Sequence, residues 1–234
     1  MLEKLKILDG SILKLIAVVS MLIDHAALVL LSDKTFAIEP FLSFGGRHIT
    51  LYYILRKLGR LAFPLFCFLI AEGFIHTKNL KKYALNLFVF AMISEIPYKL
   101  MLSGKLIYMA QQNIYFTLLL GVAAVWVAEN INESWQKFLL LALIIAVAIV
   151  LRVDYGFRGV LLILLLYILR NNKILQTFLS LPMLSGGFAA WFAFIPINMY
   201  NGKRGFIKGG FLKYLFYLFY PLHILLLILI KKLI

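Results

Sequence analysis

Long apolar runs separated by short polar segments dominate this sequence. FLLLALIIAVAIVL (Phe138 to Leu151), VLLILLLYIL (Val160 to Leu169) and LHILLLILI (Leu222 to Ile230) are the clearest of them. With their apolar flanks they approach the length of a membrane-crossing helix, which needs about 20 residues at a rise of about 1.5 Å each. Apolar windows predict spans at roughly 11–31, 58–76, 83–102, 113–128, 138–152, 157–170, 174–196 and 212–230. The segment from Phe41 to Leu55 is aromatic and apolar but carries Arg47 and His48 and runs into Arg56. It is expected to lie along the interface or to re-enter the membrane. The pattern therefore predicts an all-α fold, a polytopic integral membrane bundle of about 8 to 10 transmembrane helices with broken or re-entrant pieces. Without an internal repeat, a low-complexity tract or a long linker, residues 1–234 are expected to form one transmembrane domain.

Composition agrees with the pattern. Of 234 residues, 63% are hydrophobic and only 15% charged, and the mean hydropathy is +0.95. One soluble core cannot hide that much apolar surface, so a lipid bilayer must cover much of it. A net charge of +14 would suggest nucleic acid in a soluble protein, but here the cations cluster between apolar runs, where they set topology. No nucleic-acid partner is expected. The single cysteine, Cys67, lies in the apolar run FPLFCFLIA and reads as packing; no disulfide framework is possible. Lys4 and Lys6 precede an apolar stretch as in a signal peptide, yet Asp24 and His25 interrupt it and no cleavage site follows, so it reads as a retained first helix.

The positive-inside bias assigns the N-terminus and the loop carrying Lys78, Lys81 and Lys82 to the cytoplasm, and the first loop, with Asp33 and Glu39, to the outside. This is the arrangement of a multi-pass protein of the cytoplasmic (inner) cell membrane. Counting eight crossings would put the basic loop of Lys203, Arg204, Lys208 and Lys213 outside, against the same rule. Pro182, Gly186 and Gly187 are therefore expected to break the 174–196 span and return the chain to the cytoplasm.

Several ionisable residues fall inside the apolar runs: Asp24 and His25 in the first span, Glu72 and His76 in the second, Glu95 in the third and His223 in the last. Each costs several kcal/mol against lipid unless it faces a polar interior. One alone reads as well as a packing pair, but five or six together favour a functional cavity.

In KLIAVVSMLIDH, Lys14 and His25 are eleven residues apart. Eleven steps of about 100° return to nearly the same face, and the separation along the axis is about 16 Å. A cation near the surface and an imidazole at depth suit a long anionic donor whose phosphates stay outside while its thioester reaches in, a description that coenzyme A fits. Histidine is the natural general base for an attacking amine or hydroxyl near neutral pH. The plainer reading of Lys14 alone is that it snorkels to the headgroups. Asp24 is turned about 100° from His25 and is poorly placed to orient it.

The last span, KYLFYLFYPLHILLLILI, carries Lys213, Phe216, Tyr220 and His223 on one stripe, with Pro221 loosening the helix. Tyr217, Tyr220 and His223 can donate to a buried carbonyl or phosphate, although aromatic residues at an interface are more often anchors. The preceding YNGKRGFIKGG combines glycines and cations that let backbone and side chains approach phosphates.

KLIAVVSMLIDHAA, GRLAFPLFCFLIAEGFIHTKN with KKY, SEIPY, VDYGFRGV, and YNGKRG followed by FYPLH together resemble the TraX family of conjugal-transfer proteins. That family is implicated in acetylating the N-terminus of pilin. The Lys14-to-His25 spacing is also similar to the basic residue, ten-residue gap and histidine of the broader transmembrane acyltransferases. The resemblance implies an acetyl-CoA or other acyl-CoA donor and carries the catalytic role onto His25; it names no acceptor for this chain.

The expected function is thus an integral membrane acyltransferase that moves an acyl group from acyl-CoA to an amine or hydroxyl of a peptide N-terminus, sugar or small molecule. His25 is its general base, with Asp24 and Asp154 as carboxylates that tune it or the cavity. Lys14, Lys203, Arg204, Tyr220 and His223 are expected at the donor, and Arg60, Glu72 and Glu95 at the acceptor, with Glu72 and Glu95 binding its amine or bracing Arg60. No metal is expected. Two rivals remain: a proton-coupled transporter, since buried acid and histidine chains also build proton relays, and a non-enzymatic pilus or secretion assembly factor in which the polar residues only hold helices together.

Overall fold

A computed structural model describes residues 6–44, 47–184, 187–207 and 210–234. Lys4, Gly186 and Lys208, which enter the topology argument above, lie outside them. The helices are α1 (Gly10–Ala26), α2 (Thr35–Ile38), α3 (Leu51–Gly59), α4 (Ala62–His76), α5 (Leu80–Ser103), α6 (Ile114–Asn130), α7 (Ser134–Val150), α8 (Gly156–Ile168), α9 (Lys173–Ser180), α10 (Phe188–Trp191), α11 (Phe194–Asn198) and α12 (Gly210–Leu233). A π-helical turn, Ala27–Leu31, prolongs α1. Strands β1 (Leu42–Phe44) and β2 (Arg47–Ile49) form a small antiparallel hairpin with Leu42 opposite Ile49 and Ser43 opposite His48. The protein is nearly all-α, as expected.

By length and composition, four helical stretches can cross a membrane: Gly10–Leu31, Leu51–His76, Leu80–Ser103 and Gly210–Leu233. Shorter apolar helices cover Ile114–Asn130, Ser134–Val150, Gly156–Ile168 and Phe188–Asn198. Outer faces stay apolar: Phe138, Leu139, Leu143, Ile149 and Val150 are all exposed on α7, a surface suited to lipid rather than water. The 174–196 stretch is broken, as Pro182 predicts: α9 ends at Ser180, a 3₁₀ turn covers Leu181–Met183, and α10 and α11 follow as short pieces. The Phe41–Leu55 segment, expected at the interface or re-entrant, supplies the hairpin and the start of α3, and α3 with α4 makes one span-length stretch.

The chain divides into two compact units, one from residues 1–65 with 186–234 and the other from 66–185. In the first, α1 starts at Asp9, whose carboxylate caps the helix by accepting from the Ser11 and Ile12 amides at 2.8 and 2.9 Å. The segment after α11 is laced to this start. Leu8 N donates to the Met199 carbonyl at 3.0 Å, Asn201 N to that of Leu8 at 2.9 Å and Gly10 N to that of Lys203 at 2.8 Å. Ser11 Oγ donates to the Arg204 carbonyl at 3.1 Å and accepts from Ile207 N at 2.8 Å. Gly205 makes this approach possible: its φ is +77°, and a Cβ there would lie 2.4 Å from Asp9 Oδ1.

α1 and α12 pack together and run in the same direction. Lys14 lies in the field of Arg204 and Lys213, His25 meets His223, and Asp33 pairs with Lys231 at 3.2 Å. Sequence order along one helix thus matches order along the other.

In the second unit, α6 packs against α5, α7 and α8. Small residues bring these helices close: a Cβ on Gly121 would lie 2.3 Å from Ile163 Cδ1, and Ala124, Ala148, Val153 and Val160 form a core flanked by Phe116, Leu120 and Leu141. Asn113 caps α6 by accepting from Tyr115 N at 3.1 Å, and its amide donates to the Ala91 carbonyl at 2.8 Å, tying α6 to α5.

Candidate functional site

The first unit gathers most of the candidate residues. Lys14 and His25 both lie within the regular part of α1, so the shared stripe and the axial offset of about 16 Å stand. Arg204 and Lys213 act on the Lys14 ammonium from the start of α12 and the loop before it, and Asp9 attracts it. The side chains of Lys203 and Arg204 are exposed, while their carbonyls hold the start of α1. The result is a concentration of positive charge at the N-terminal end of α1, suited to phosphate oxygens.

About three turns further along α1, His25 Nδ1 lies 2.6 Å from His223 Nε2. The two imidazoles are within 5° of coplanar, with centroids 4.9 Å apart. That is about the nitrogen-to-nitrogen distance plus one ring radius at each end, so the rings meet edge to edge in a common plane rather than face to face. His223 Nδ1 lies 2.6 Å from the Phe219 carbonyl oxygen, and the Phe219 ring stacks on the imidazole at 4.6 Å. Tyr220 is buried beside both, its ring centroid 5.9 Å from that of His25 and 6.0 Å from that of His223. His223 is buried, whereas His25 is only partly so. The π-helical turn that begins two residues after His25 packs against α3 and α12, a local irregularity of the kind that recurs at functional sites.

Asp24 is engaged elsewhere. Its Oδ2 accepts from Arg56 Nη1 at 2.6 Å, the same nitrogen reaches the Asp24 carbonyl at 3.3 Å, and Arg60 adds a second positive charge to its field. Gly59 lets α3 come this close. Asp24 and Arg60 therefore share one electrostatic cluster between α1 and α3.

The second unit holds the remaining candidates. Glu72 pairs with His76 at 3.4 Å, one turn apart on α4. Glu95 pairs with Lys99 at 3.1 Å and accepts from Asn113 Nδ2 at 2.5 Å. Asp154 Oδ1 accepts from Gln111 Nε2 at 2.9 Å and from Tyr155 N at 3.0 Å, and its carbonyl accepts from Thr117 Oγ1. The turn that presents it is strained, with φ of 51° at Arg152 and 62° at Tyr155, neither of them glycine. It is held by Gln112, whose N–H donates to the Arg152 carbonyl at 3.1 Å and whose carbonyl accepts from Asp154 N at 2.9 Å. Strain of this kind persists only where surrounding bonds enforce it. Cys67 is buried. Among the described residues no group of three or more His, Cys, Asp or Glu side chains is placed to hold a metal.

The structure thus joins His25, His223 and Tyr220 in one cluster, gathers Lys14, Arg204 and Lys213 in a second, and pairs Asp24 with Arg56. Sequence reasoning missed Arg56 and the Phe219 carbonyl. Arg56 carried a signal, being a cation at the edge of an apolar segment, but a backbone acceptor carries none.

The chain matches the family model described as TraX protein over residues 9–231. It is also similar to a protein of Dichelobacter nodosus named probable fimbrial assembly protein FimC, serogroup H1, at 32% identity over a gapped alignment of 244 positions that covers 92% of each chain. No solved structure matches it. With nearly its whole length matched, this helical protein belongs to the TraX family.

Proposed function

We propose that this protein is an acyltransferase of the cytoplasmic membrane that moves an acyl group from acyl-CoA to an amine or hydroxyl, with His25 as general base. One observation carries the reading. A single stripe of α1 bears Lys14 among the cations Arg204 and Lys213 at one end and, about 16 Å further along, a partly buried imidazole whose Nδ1 is already engaged by His223. Phosphates suit the first end and a thioester carbonyl the second. At that second end a base removes the proton of the attacking acceptor as the new bond forms.

The name of the Dichelobacter nodosus relative, a probable fimbrial assembly protein, supports a fimbrial subunit as the acceptor to try first. It also favours a second reading, in which the protein assists fimbrial assembly without chemistry and its polar residues only brace helices. Equilibrium binding of radiolabelled acetyl-CoA to the purified protein in detergent, followed by release of free coenzyme A thiol on adding a fimbrial subunit, separates the two. Saturable binding and subunit-dependent thiol release are expected of the enzyme. Subunit binding without any affinity for acetyl-CoA would support the assembly factor and overturn the acyltransferase.

A further inference from the structure

The contact between His25 and His223 fixes proton positions as well as a distance. A carbonyl oxygen only accepts, so the His223 Nδ1 that lies 2.6 Å from the Phe219 carbonyl must carry a proton. In the neutral ring Nε2 is then a bare acceptor. The nitrogen facing it at 2.6 Å, His25 Nδ1, must therefore donate. His25 holds its proton on Nδ1 and presents a lone pair on Nε2, which has no hydrogen-bond partner among the described residues. An isolated histidine favours the opposite tautomer, with the proton on Nε2, which leaves no base there.

We propose that His223 is the positioning residue of the acyl transfer: anchored on the Phe219 carbonyl, it selects the His25 tautomer in which Nε2 is the base. This rests on the acyltransferase reading above. Asp24, the carboxylate next to His25 in sequence, is taken up by Arg56, so the orienting group is an imidazole rather than an acid. The Phe219 ring, stacked on His223 within 15° of parallel, and buried Tyr220 hold the second ring in the plane of the first. In the reaction the acceptor's lone pair forms a bond to the thioester carbonyl carbon and its proton passes to His25 Nε2. The positive charge that develops on His25 is steadied through Nδ1–H by the His223 Nε2 lone pair. As the carbonyl re-forms, the carbon–sulfur bond breaks, sulfur leaves with the bonding pair and takes the proton back from His25 Nε2. The products are an amide or ester and the coenzyme A thiol, and both imidazoles return to their starting state.

The first test needs no turnover. Long-range proton–nitrogen NMR of histidine-labelled protein in detergent distinguishes the two tautomers, and His25→Ala and His223→Phe assign the signals. Nδ1–H is expected on both rings of the wild type, and His25 is expected to shift toward Nε2–H in His223→Phe. A wild-type His25 protonated on Nε2 would overturn the proposal. The second test is kinetic. His223→Phe should lower the rate at saturating acetyl-CoA by about 100-fold or more, with donor affinity unchanged. His223→Gln, whose amide oxygen can accept from His25 Nδ1, should recover part of it. Loss of donor affinity with the saturated rate intact would make His223 a donor-binding residue and contradict the proposal, as would equal rates for the Phe and Gln variants. A wild type that consumes no acetyl-CoA would defeat the acyltransferase reading itself, and with it the positioning role of His223, whatever the NMR reports.

Discussion

Asp24 Oδ2 and Arg56 Nη1 stand 2.6 Å apart and tie α3 to α1 one residue before the histidine. Both side chains are largely buried, and the helices approach closely because position 59 is glycine, where a Cβ would lie 2.2 Å from that of Asp24. Arg56→Ala leaves the carboxylate without its guanidinium and should lower stability by about 2 kcal/mol, less than the loss of a fully buried pair because both side chains keep some exposure and Arg60 still acts on Asp24. Asp24→Asn, which still accepts from Arg56, should cost less. Unfolding midpoints in detergent check this; an Arg56→Ala protein as stable as the wild type would mean that the pair does not hold α3.

The parallel course of α1 and α12 constrains topology. Lys203 and Arg204 lie at the end of α1 that carries Lys14, whereas Asp33 and Lys231 pair at the other. If α1 and α12 each cross once, the chain between them crosses an odd number of times, which is the parity reached when the broken stretch around α9 to α11 makes no net crossing. The more basic end should be cytoplasmic. In a Cys67-free background, a cysteine at Lys203 should resist an impermeant thiol reagent on intact cells and one at Asp33 should react. Reaction of both from outside would contradict the shared direction of the two helices.

Lys14→Ala should weaken acetyl-CoA binding while leaving the rate at saturating donor intact, since a residue about 16 Å from His25 does not touch the reacting carbon. Loss of one charge-assisted phosphate contact corresponds to about a tenfold rise in KM. Added salt should weaken donor binding by the wild type more than by the variant. Steady-state kinetics at two salt concentrations check both statements, and equal KM values would leave Lys14 as a headgroup anchor.

Much of the architecture was legible in the sequence because lipid leaves few alternatives to helices. The break near Pro182 followed from the missing amide of proline, and the Lys14-to-His25 stripe from helical period alone. Pairings across long separations were not legible. His25 and His223 are 198 residues apart, and nothing in FYPLH states which helix its histidine meets. The Asp24–Arg56 pair was hidden for a different reason: α3 follows a short hairpin in a segment whose apolar and cationic residues read equally well as interfacial. The strained turn at Asp154 was invisible because Arg152 and Tyr155 are not residues that announce a positive φ.

The central claim is that His25 removes a proton during acyl transfer from coenzyme A. Its most direct test is the turnover of radiolabelled acetyl-CoA by purified wild type and His25→Ala, compared at saturating donor after both proteins are shown to be folded and inserted. The account predicts measurable transfer by the wild type and a fall of about 100-fold or more in the variant, with donor binding retained because the cations around Lys14 are untouched. A His25→Ala protein that turns over at the wild-type rate would contradict it.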